Sequence, residues 1–176
     1  MNLQKTIEDC LTQSTQNVFS TMLGVELSPG EVSVEHGMPE ANDGIVSFIG
    51  LAGAWAGTGS LSCSPELACR ICSLMLMMDT PSVNADVLDA VAELTNMILG
   101  SAKNDLEPQL GPLGLSIPTV VFGRNFKTKS AGSADWIVLK YTWEGDVLTV
   151  KLFLAPSERS PHAVSHMMGQ TCPIDV

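Results

Sequence analysis

Apolar residues recur at helical spacing over the first part of the chain. These residues fall on one side of a helical wheel, which is the pattern of a helix that buries one face: Leu3, Ile7, Cys10, Leu11, Val18 and Met22. Gly24 follows, and glycine readily takes the left-handed conformation found after a helix C-terminus. The pattern therefore predicts a first helix over residues 2–23.

Two further helices are predicted in the middle of the chain. Ser64-Pro65-Glu66 has a capping hydroxyl, a proline at the first helical position and an acid in the first turn, which are signals of a helix start. This helix is predicted to reach about Met78. Asn84 is the predicted cap of a longer helix over residues 85–107, which Pro108 is predicted to end.

Short β-prone segments surround these helices. Pro29-Gly30 and Asp43-Gly44 predict turns, and Glu144-Gly145-Asp146 predicts a short hairpin loop between the last two strands. The predicted strands cover residues 45–49, 58–62, 119–126, 136–143 and 147–155, and the Gly- and Pro-rich segment 109–116 is predicted to be a loop.

The order of these elements predicts an α+β fold, with helices packed on a largely antiparallel sheet. No linker interrupts the pattern, so we expect a single domain over residues 1–155. The segment 156–176 contains Pro, Ser and His without periodicity, and we expect it to form a poorly ordered tail.

Composition narrows the class of protein. The 176 residues include 9 Lys and Arg against 19 Asp and Glu, a net charge of −10, which argues against nucleic acid and anionic membranes as partners. No apolar run is long enough for a membrane span, and the first residues lack the pattern of a signal peptide. The five cysteines lie mostly among apolar residues, as reduced thiols do. We therefore expect a cytoplasmic protein.

The long helix carries a polar stripe opposite its predicted core face. The apolar side consists of Val87, Val91, Leu94 and Ile98, and the stripe consists of Asp89, Glu93, Asn96, Gly100 and Lys103. A solvated helix face is the simplest interpretation. However, Asn is a poor residue in the middle of a helix, and Gly there costs about 1 kcal/mol relative to Ala. Both residues are more readily explained if the helix face binds a small molecule or a partner protein.

The segment Asp89-x-x-x-Glu93-x-x-Asn96, followed by Pro118 before a strand, resembles the signature of the CheC/CheX/FliY chemotaxis phosphatases. Residues 17–24 and 117–121 are also similar to the CheX branch of that family. The resemblance covers roughly residues 3–155. Only one Glu-x-x-Asn is present, because the first helix has Glu8 but Leu11 three residues later. One site per chain again resembles CheX, whose family members are homodimers.

The resemblance implies an activity and a set of site residues. Family members hydrolyse the aspartyl phosphate of a CheY-type response regulator, which holds its own Mg²⁺, so no cofactor or metal ligand is expected in this chain. Asn96 would align the attacking water, and Glu93 would form a salt bridge with a lysine of the regulator. Asp89, Gly100 and Lys103 would complete the partner-binding surface, whereas Pro118 has an ordinary structural role at a strand start.

Two alternatives remain open from the sequence. A non-catalytic adaptor with the same fold would use the same helix face to bind another partner. A redox or metal sensor would use Cys63, Cys69 and Cys72, although a single Cys-x-x-Cys is weak evidence for zinc and core packing is favoured. The methionines at positions 75, 77 and 78 are interpreted as core or dimer contacts rather than as a binding groove.

Overall fold

A computed structural model describes residues 3–36, 41–127 and 135–157 as three helices packed on one antiparallel sheet. The α+β prediction is therefore confirmed. The helices are α1 (Leu3–Val18), α2 (Pro65–Leu76) and α3 (Ala85–Leu110), with a π-helical turn (Phe19–Leu23) after α1. The strands are β1 (Ser28–His36), β2 (Ala41–Gly53), β3 (Trp55–Cys63), β4 (Leu113–Leu115), β5 (Thr119–Lys127), β6 (Asp135–Trp143) and β7 (Asp146–Pro156).

The seven strands follow the order β1-β6-β7-β3-β2, and β2 then pairs with two strands on its far side. The first half of β2 pairs with β5, from Ala41 to Phe48, and its end pairs with β4, from Leu51 to Gly53. Every one of these pairings is antiparallel. The loop between β4 and β5 is consequently held beside the middle of β2.

The core lies between the helices and one face of the sheet. Helix α3 contacts α1, α2 and the strands β2 to β5. Its buried surface is therefore wider than the single apolar face predicted from the sequence. Besides the four predicted core residues, Ala90, Thr95, Leu99, Ala102, Leu106 and Leu110 are buried. Because it is enclosed in this way, α3 is the rigid element from which exposed side chains can be positioned.

The predicted helix starts are confirmed by their caps. Ser64 Oγ accepts a hydrogen bond from the backbone N–H of Leu67 at 3.1 Å, and Asn84 Oδ1 accepts one from Val87 at 3.0 Å. Gly24 ends the first helical segment with φ of +65°. Such side-chain acceptors satisfy backbone donors that a helix start would otherwise leave unpaired.

Arg70 fixes the first part of α2 to the hairpin between β6 and β7. Its Nη1 donates to Glu144 Oε2 at 2.8 Å, its Nη2 pairs with Asp146, and its guanidinium lies 5.0 Å from the ring centroid of Trp143. Glu144 and Gly145 form the two-residue turn, both with positive φ, which confirms the predicted hairpin and is typical of a type I′ connection.

Four local predictions are wrong. Pro29-Gly30 lies inside β1, where the register shifts between Pro29 and Val32, and Asp43-Gly44 lies inside β2, with a shift between Asn42 and Gly44. Glycine occurs at strand irregularities as well as in turns, and proline occurs on edge strands such as β1. Helix α3 continues past Pro108 to Leu110, and the predicted loop 109–116 contains β4. Burial of Leu110 favours that last helical residue, despite the hydrogen bond that proline cannot make.

The predicted tail, 156–176, lies outside the described residues except for Pro156, which ends β7, and Ser157. None of the helices in the described part of the chain is long and apolar enough to cross a membrane.

Candidate active site on helix α3

The structure places three residues of the predicted stripe in one groove. Asp89 and Glu93 are exposed on the first half of α3, and Asn96 follows them, half-buried. At 1.5 Å per residue, Asn96 lies about 4.5 Å further along the helix axis than Glu93. A groove of about 490 Å³ is lined by these three side chains on one side.

The opposite wall of this groove is the loop from Ser116 to Pro118, which precedes β5. Two hydrogen bonds attach it to β2: Gly50 N donates to Ser116 Oγ at 2.8 Å, and Ser116 N donates to Gly50 O at 2.9 Å. Ile117 projects from this wall and is 87% exposed. A site role for Ser116 or Ile117 cannot be predicted from the sequence, because only the pairing of β2 with β4 and β5 brings them to α3.

The groove is acidic, and its two carboxylates are free to pair with a partner. The side chains of Asp89, Glu93 and Asn96 have no hydrogen-bond or ion-pair partner within the described residues. Two like charges at a spacing of four residues destabilise an isolated helix by roughly 0.2–0.5 kcal/mol. Such an arrangement suits a surface that meets a positively charged partner.

Lys103 does not neutralise these carboxylates. Its Nζ donates to Glu107 Oε1 at 2.8 Å, and the same oxygen accepts a hydrogen bond from Leu113 N at 2.9 Å. These contacts hold the pKa of Glu107 below its usual value. Lys103 therefore helps to attach β4 to the end of α3, and neither it nor Gly100 is among the residues that line the groove.

Gly100 leaves open space on the stripe. A Cβ added at this position would meet only Leu115 Cδ1, at 3.7 Å, which is an ordinary van der Waals distance. The fold of this chain therefore does not require glycine here. A requirement for it would have to come from something that approaches the helix.

The first helix has no second Glu-x-x-Asn. The residue three positions after Glu8 on α1 is Leu11, and its side chain is fully buried in the core. Leu11 is therefore a core residue, and a polar residue in its place would be buried at a cost in stability.

Cys63 and Cys72 are buried in the core, and Cys69 packs against it half-buried. Burial raises the pKa of Cys63 to about 12, and burial is also the main cause that raises the pKa of the half-buried Cys69. Thiols of raised pKa are poor nucleophiles and poor metal ligands, since both roles need the thiolate. Across the ranges that the structure describes, no three His, Cys, Asp or Glu side chains are grouped so that they could hold a metal ion.

Comparison with known proteins identifies the family. A family model described as "Chemotaxis phosphatase CheX" matches residues 45–142, more than half of the chain, including the whole of α3. The chain belongs to the CheX family. A relative from Thermotoga maritima named "CheY-P phosphatase CheX" is 33% identical over 128 residues, which cover 72% of this chain and 81% of the relative.

Solved structures share the fold. A CheC-like superfamily protein from Shewanella sp. PV-4 has a TM-score of 0.77 at 26% identity, covering 88% of this chain and 99% of its own. The protein in a CheX–CheY–BeF₃–Mg²⁺ complex from Borrelia burgdorferi has a TM-score of 0.71 and covers 84% and 97%. At 19% identity, this second likeness shows the fold alone.

Proposed function

We propose that this CheX-family protein hydrolyses the aspartyl phosphate of a CheY-type response regulator. The observation that carries the proposal is the unpaired carboxamide of Asn96, one helical turn from Glu93, in an open acidic groove on a rigid helix. The Thermotoga maritima relative, whose name gives it this activity, supports the same substrate.

In this proposal Asn96 positions the attacking water. Its carboxamide oxygen accepts a hydrogen bond from the water, and its NH₂ donates to a phosphoryl oxygen. The water oxygen bonds to phosphorus as the bond from phosphorus to the aspartate oxygen breaks. The regulator's aspartate carboxylate is regenerated, and inorganic phosphate leaves with the two protons of the water. Phosphoryl transfer needs mainly alignment and charge stabilisation, and the Mg²⁺ comes with the regulator, so the groove needs no metal ligand of its own.

Glu93 has a different role, because a carboxylate repels a phosphoryl dianion. We assign it to a salt bridge with a lysine of the regulator, which sets where along α3 the regulator docks. Asp89, one turn further from Asn96, extends that acidic contact. Gly100 gives the regulator clearance on the other side of Asn96, and Lys103 contributes at most at the margin, since it already pairs with Glu107.

We further propose that the chain acts as a cytoplasmic homodimer that pairs through β5. This strand pairs with β2 on one side, and its other side has no partner strand within the described ranges. Val121 and Phe122 on it are 36% and 51% exposed. Open sheet edges that bear apolar side chains are commonly covered, and a two-fold axis beside β5 would do so.

The test is phosphate release from a phosphorylated CheY-type receiver domain of the same organism. We expect the full-length protein to accelerate it, and Asn96→Ala to lower kcat by roughly 100-fold or more, as for other positioning groups. Asn104→Ala is the matched control, because Asn104 is an exposed carboxamide on the same helix outside the groove. Equal activity of wild type and Asn96→Ala would refute the assigned mechanism.

The same variants separate catalysis from simple binding. If Asn96→Ala keeps its binding and loses turnover, catalysis is the function. A non-catalytic adaptor predicts that the wild-type chain does not accelerate phosphate loss and binds another signalling partner through the same helix face. Glu93→Gln is informative in both cases: it should weaken binding, and the loss should shrink as salt is added, because salt screens an exposed ion pair.

A further inference from the structure

An exposed apolar patch lies at the end of α2, beside the acidic groove. It consists of Leu76, Met77 and Met78, which are 46%, 94% and 60% exposed; we refer to it as the α2-end patch. Large apolar side chains grouped at a surface are more typical of interaction sites than of ordinary exterior. Methionine is also common where a binding surface must adapt its shape to a partner.

The α2-end patch is continuous with the candidate active site. A second groove, of about 310 Å³, is lined by Met75 and Leu76 from α2 and by Asp86, Asp89, Ala90 and Glu93 from α3. Asp89 and Glu93 therefore line both grooves. A partner that reaches Asn96 across this pair of carboxylates would have Ile117 on one side and Leu76 on the other.

The backbone that carries the patch is held in place. Met77 ends α2 with φ of +54°, and its N–H and that of Met78 both donate to Ser73 O. Ser73 Oγ in turn accepts a hydrogen bond from Thr80 N at 3.0 Å. Side chains displayed from a fixed backbone lose less entropy on binding than those on a mobile loop.

Position 77 is also unfavourable for a methionine on grounds of stability. The left-handed conformation favours Gly or Asn, and it has a steric cost for other residues. A side chain that is 94% exposed regains little of that cost through packing. A large apolar residue at this position is best explained by a contact outside the chain.

We propose that the α2-end patch is an apolar anchor for the receiver domain of the phosphorylated response regulator. The proposal rests on the proposed function and deepens it: the acidic stripe sets the register of docking, and the patch supplies binding energy that does not depend on charge. Asp79 follows the patch directly in the sequence, and Asp86, Asp89 and Glu93 line the groove that Leu76 shares with α3, so that negative charge lies beside the patch. The matching surface of the receiver domain is therefore basic, with apolar residues beside it.

The experiment uses a patch variant and a matched control on the full chain. Met77→Asn with Met78→Ser removes the apolar side chains, and Asn keeps the left-handed backbone at position 77. We expect its melting temperature to equal or exceed that of the wild type. Val32→Thr is the control, because Val32 is 45% exposed on β1, at the opposite edge of the sheet from β2, β4 and β5.

With a phosphorylated receiver domain as substrate, the patch variant should raise KM tenfold or more and change kcat less than twofold. The increase should be the same at low and high salt, because the contact is apolar. Binding to the receiver domain activated with beryllofluoride should weaken by the same factor, and Val32→Thr should change none of these values.

The outcomes distinguish failure of this inference from failure of the proposed function. If the wild type is active and the patch variant keeps its KM, the α2-end patch is not a docking surface. If the patch variant keeps its KM but becomes monomeric in solution, the patch covers a second copy of this chain and the inference is wrong. If the wild type binds the activated receiver domain but releases no phosphate, the proposed function fails. In that case, weaker binding by the patch variant than by the wild type would still support the anchor. If the wild type does not bind, both fail.

Discussion

The contact between Gly59 and Leu99 couples the sheet to the helix that carries the candidate site. Gly59 is buried in β3, and a Cβ added there would lie 1.8 Å from Leu99 Cδ1 on α3. Leu99 is only 2% exposed, so its side chain cannot rotate away without displacing other core atoms. Gly59→Ala therefore forces Leu99, or α3 itself, to move.

The size of the effect follows from two opposing contributions. Overpacking a core costs about 1–3 kcal/mol, whereas replacing glycine inside a strand returns roughly 0.5–1 kcal/mol. We expect Gly59→Ala to lower the free energy of unfolding by about 1–2 kcal/mol. Leu99→Ala alone leaves a cavity and should cost about 2–5 kcal/mol. In the double variant the new methyl group fills part of that cavity, so its loss should be smaller than the sum by about 0.5–3 kcal/mol.

Urea unfolding followed by circular dichroism measures these energies, and the phosphatase assay follows the site. Leu99 is three residues from Asn96, and a displacement of about 1 Å at a positioned group can cost about 100-fold in rate. Gly114→Ala is the control, because a Cβ there would meet only Ala52 O, at 3.5 Å. A Gly59→Ala variant as stable as the wild type, or additive losses in the double variant, would contradict a tight contact between β3 and α3 at this position.

Two further predictions concern Gly100 and Cys63. Gly100→Ala should raise the free energy of unfolding by roughly 0.5–1 kcal/mol, since the added Cβ meets only Leu115 at 3.7 Å. Lower turnover in this stabler variant would support clearance for the regulator as the role of Gly100, and unchanged turnover would contradict it. Burial raises the pKa of Cys63 from 9.0 to about 12, so between these values the unfolded chain binds fewer protons than the folded chain. Stability should therefore fall as pH rises, by up to about 1.4 kcal/mol per pH unit. Urea unfolding between about pH 8 and pH 10 should show this decline, and an equal decline in Cys63→Ala would contradict its assignment to that thiol.

Elements that bury one face over several turns or strand residues could be predicted from the sequence alone. Helix α1 with its π-helical turn spans Leu3–Leu23 against a prediction of 2–23, and β6 begins one residue before its predicted start. In both cases a periodic apolar pattern is followed by a residue typical of an element boundary, Gly24 after the first helix and Gly145 after β6. The family assignment is also confirmed.

The local errors arose where tertiary contacts decide the conformation. Gly30 was predicted to be in a turn, yet a Cβ there would lie 2.9 Å from Lys140 O of β6. Glycine at that position therefore permits a close approach between strands rather than a reversal of the chain. The three residues of β4 are too few to show a period, and they are strand only because β2 is long enough to pair with them. Neither contact can be detected from local sequence.

In the candidate site, too, local spacing was enough to predict some residues, and tertiary contacts determine the others. Asp89, Glu93 and Asn96 were predictable as neighbours because helical spacing alone puts them on one stripe. Ser116 and Ile117 were not, because their place beside α3 depends on the hydrogen bonds with Gly50 and on the pairing of β2 with both β4 and β5. The apolar neighbours of Met77 favour a core or dimer contact, and the left-handed end of α2 turns its side chain outward, so that Met77 is not a core residue. A helical stripe identifies the chemistry of such a site, whereas the walls that determine which partner fits are set by sheet register and helix ends. Substitutions in the stripe should therefore act mainly on turnover or on the salt dependence of binding, and substitutions in the walls mainly on the affinity for the partner.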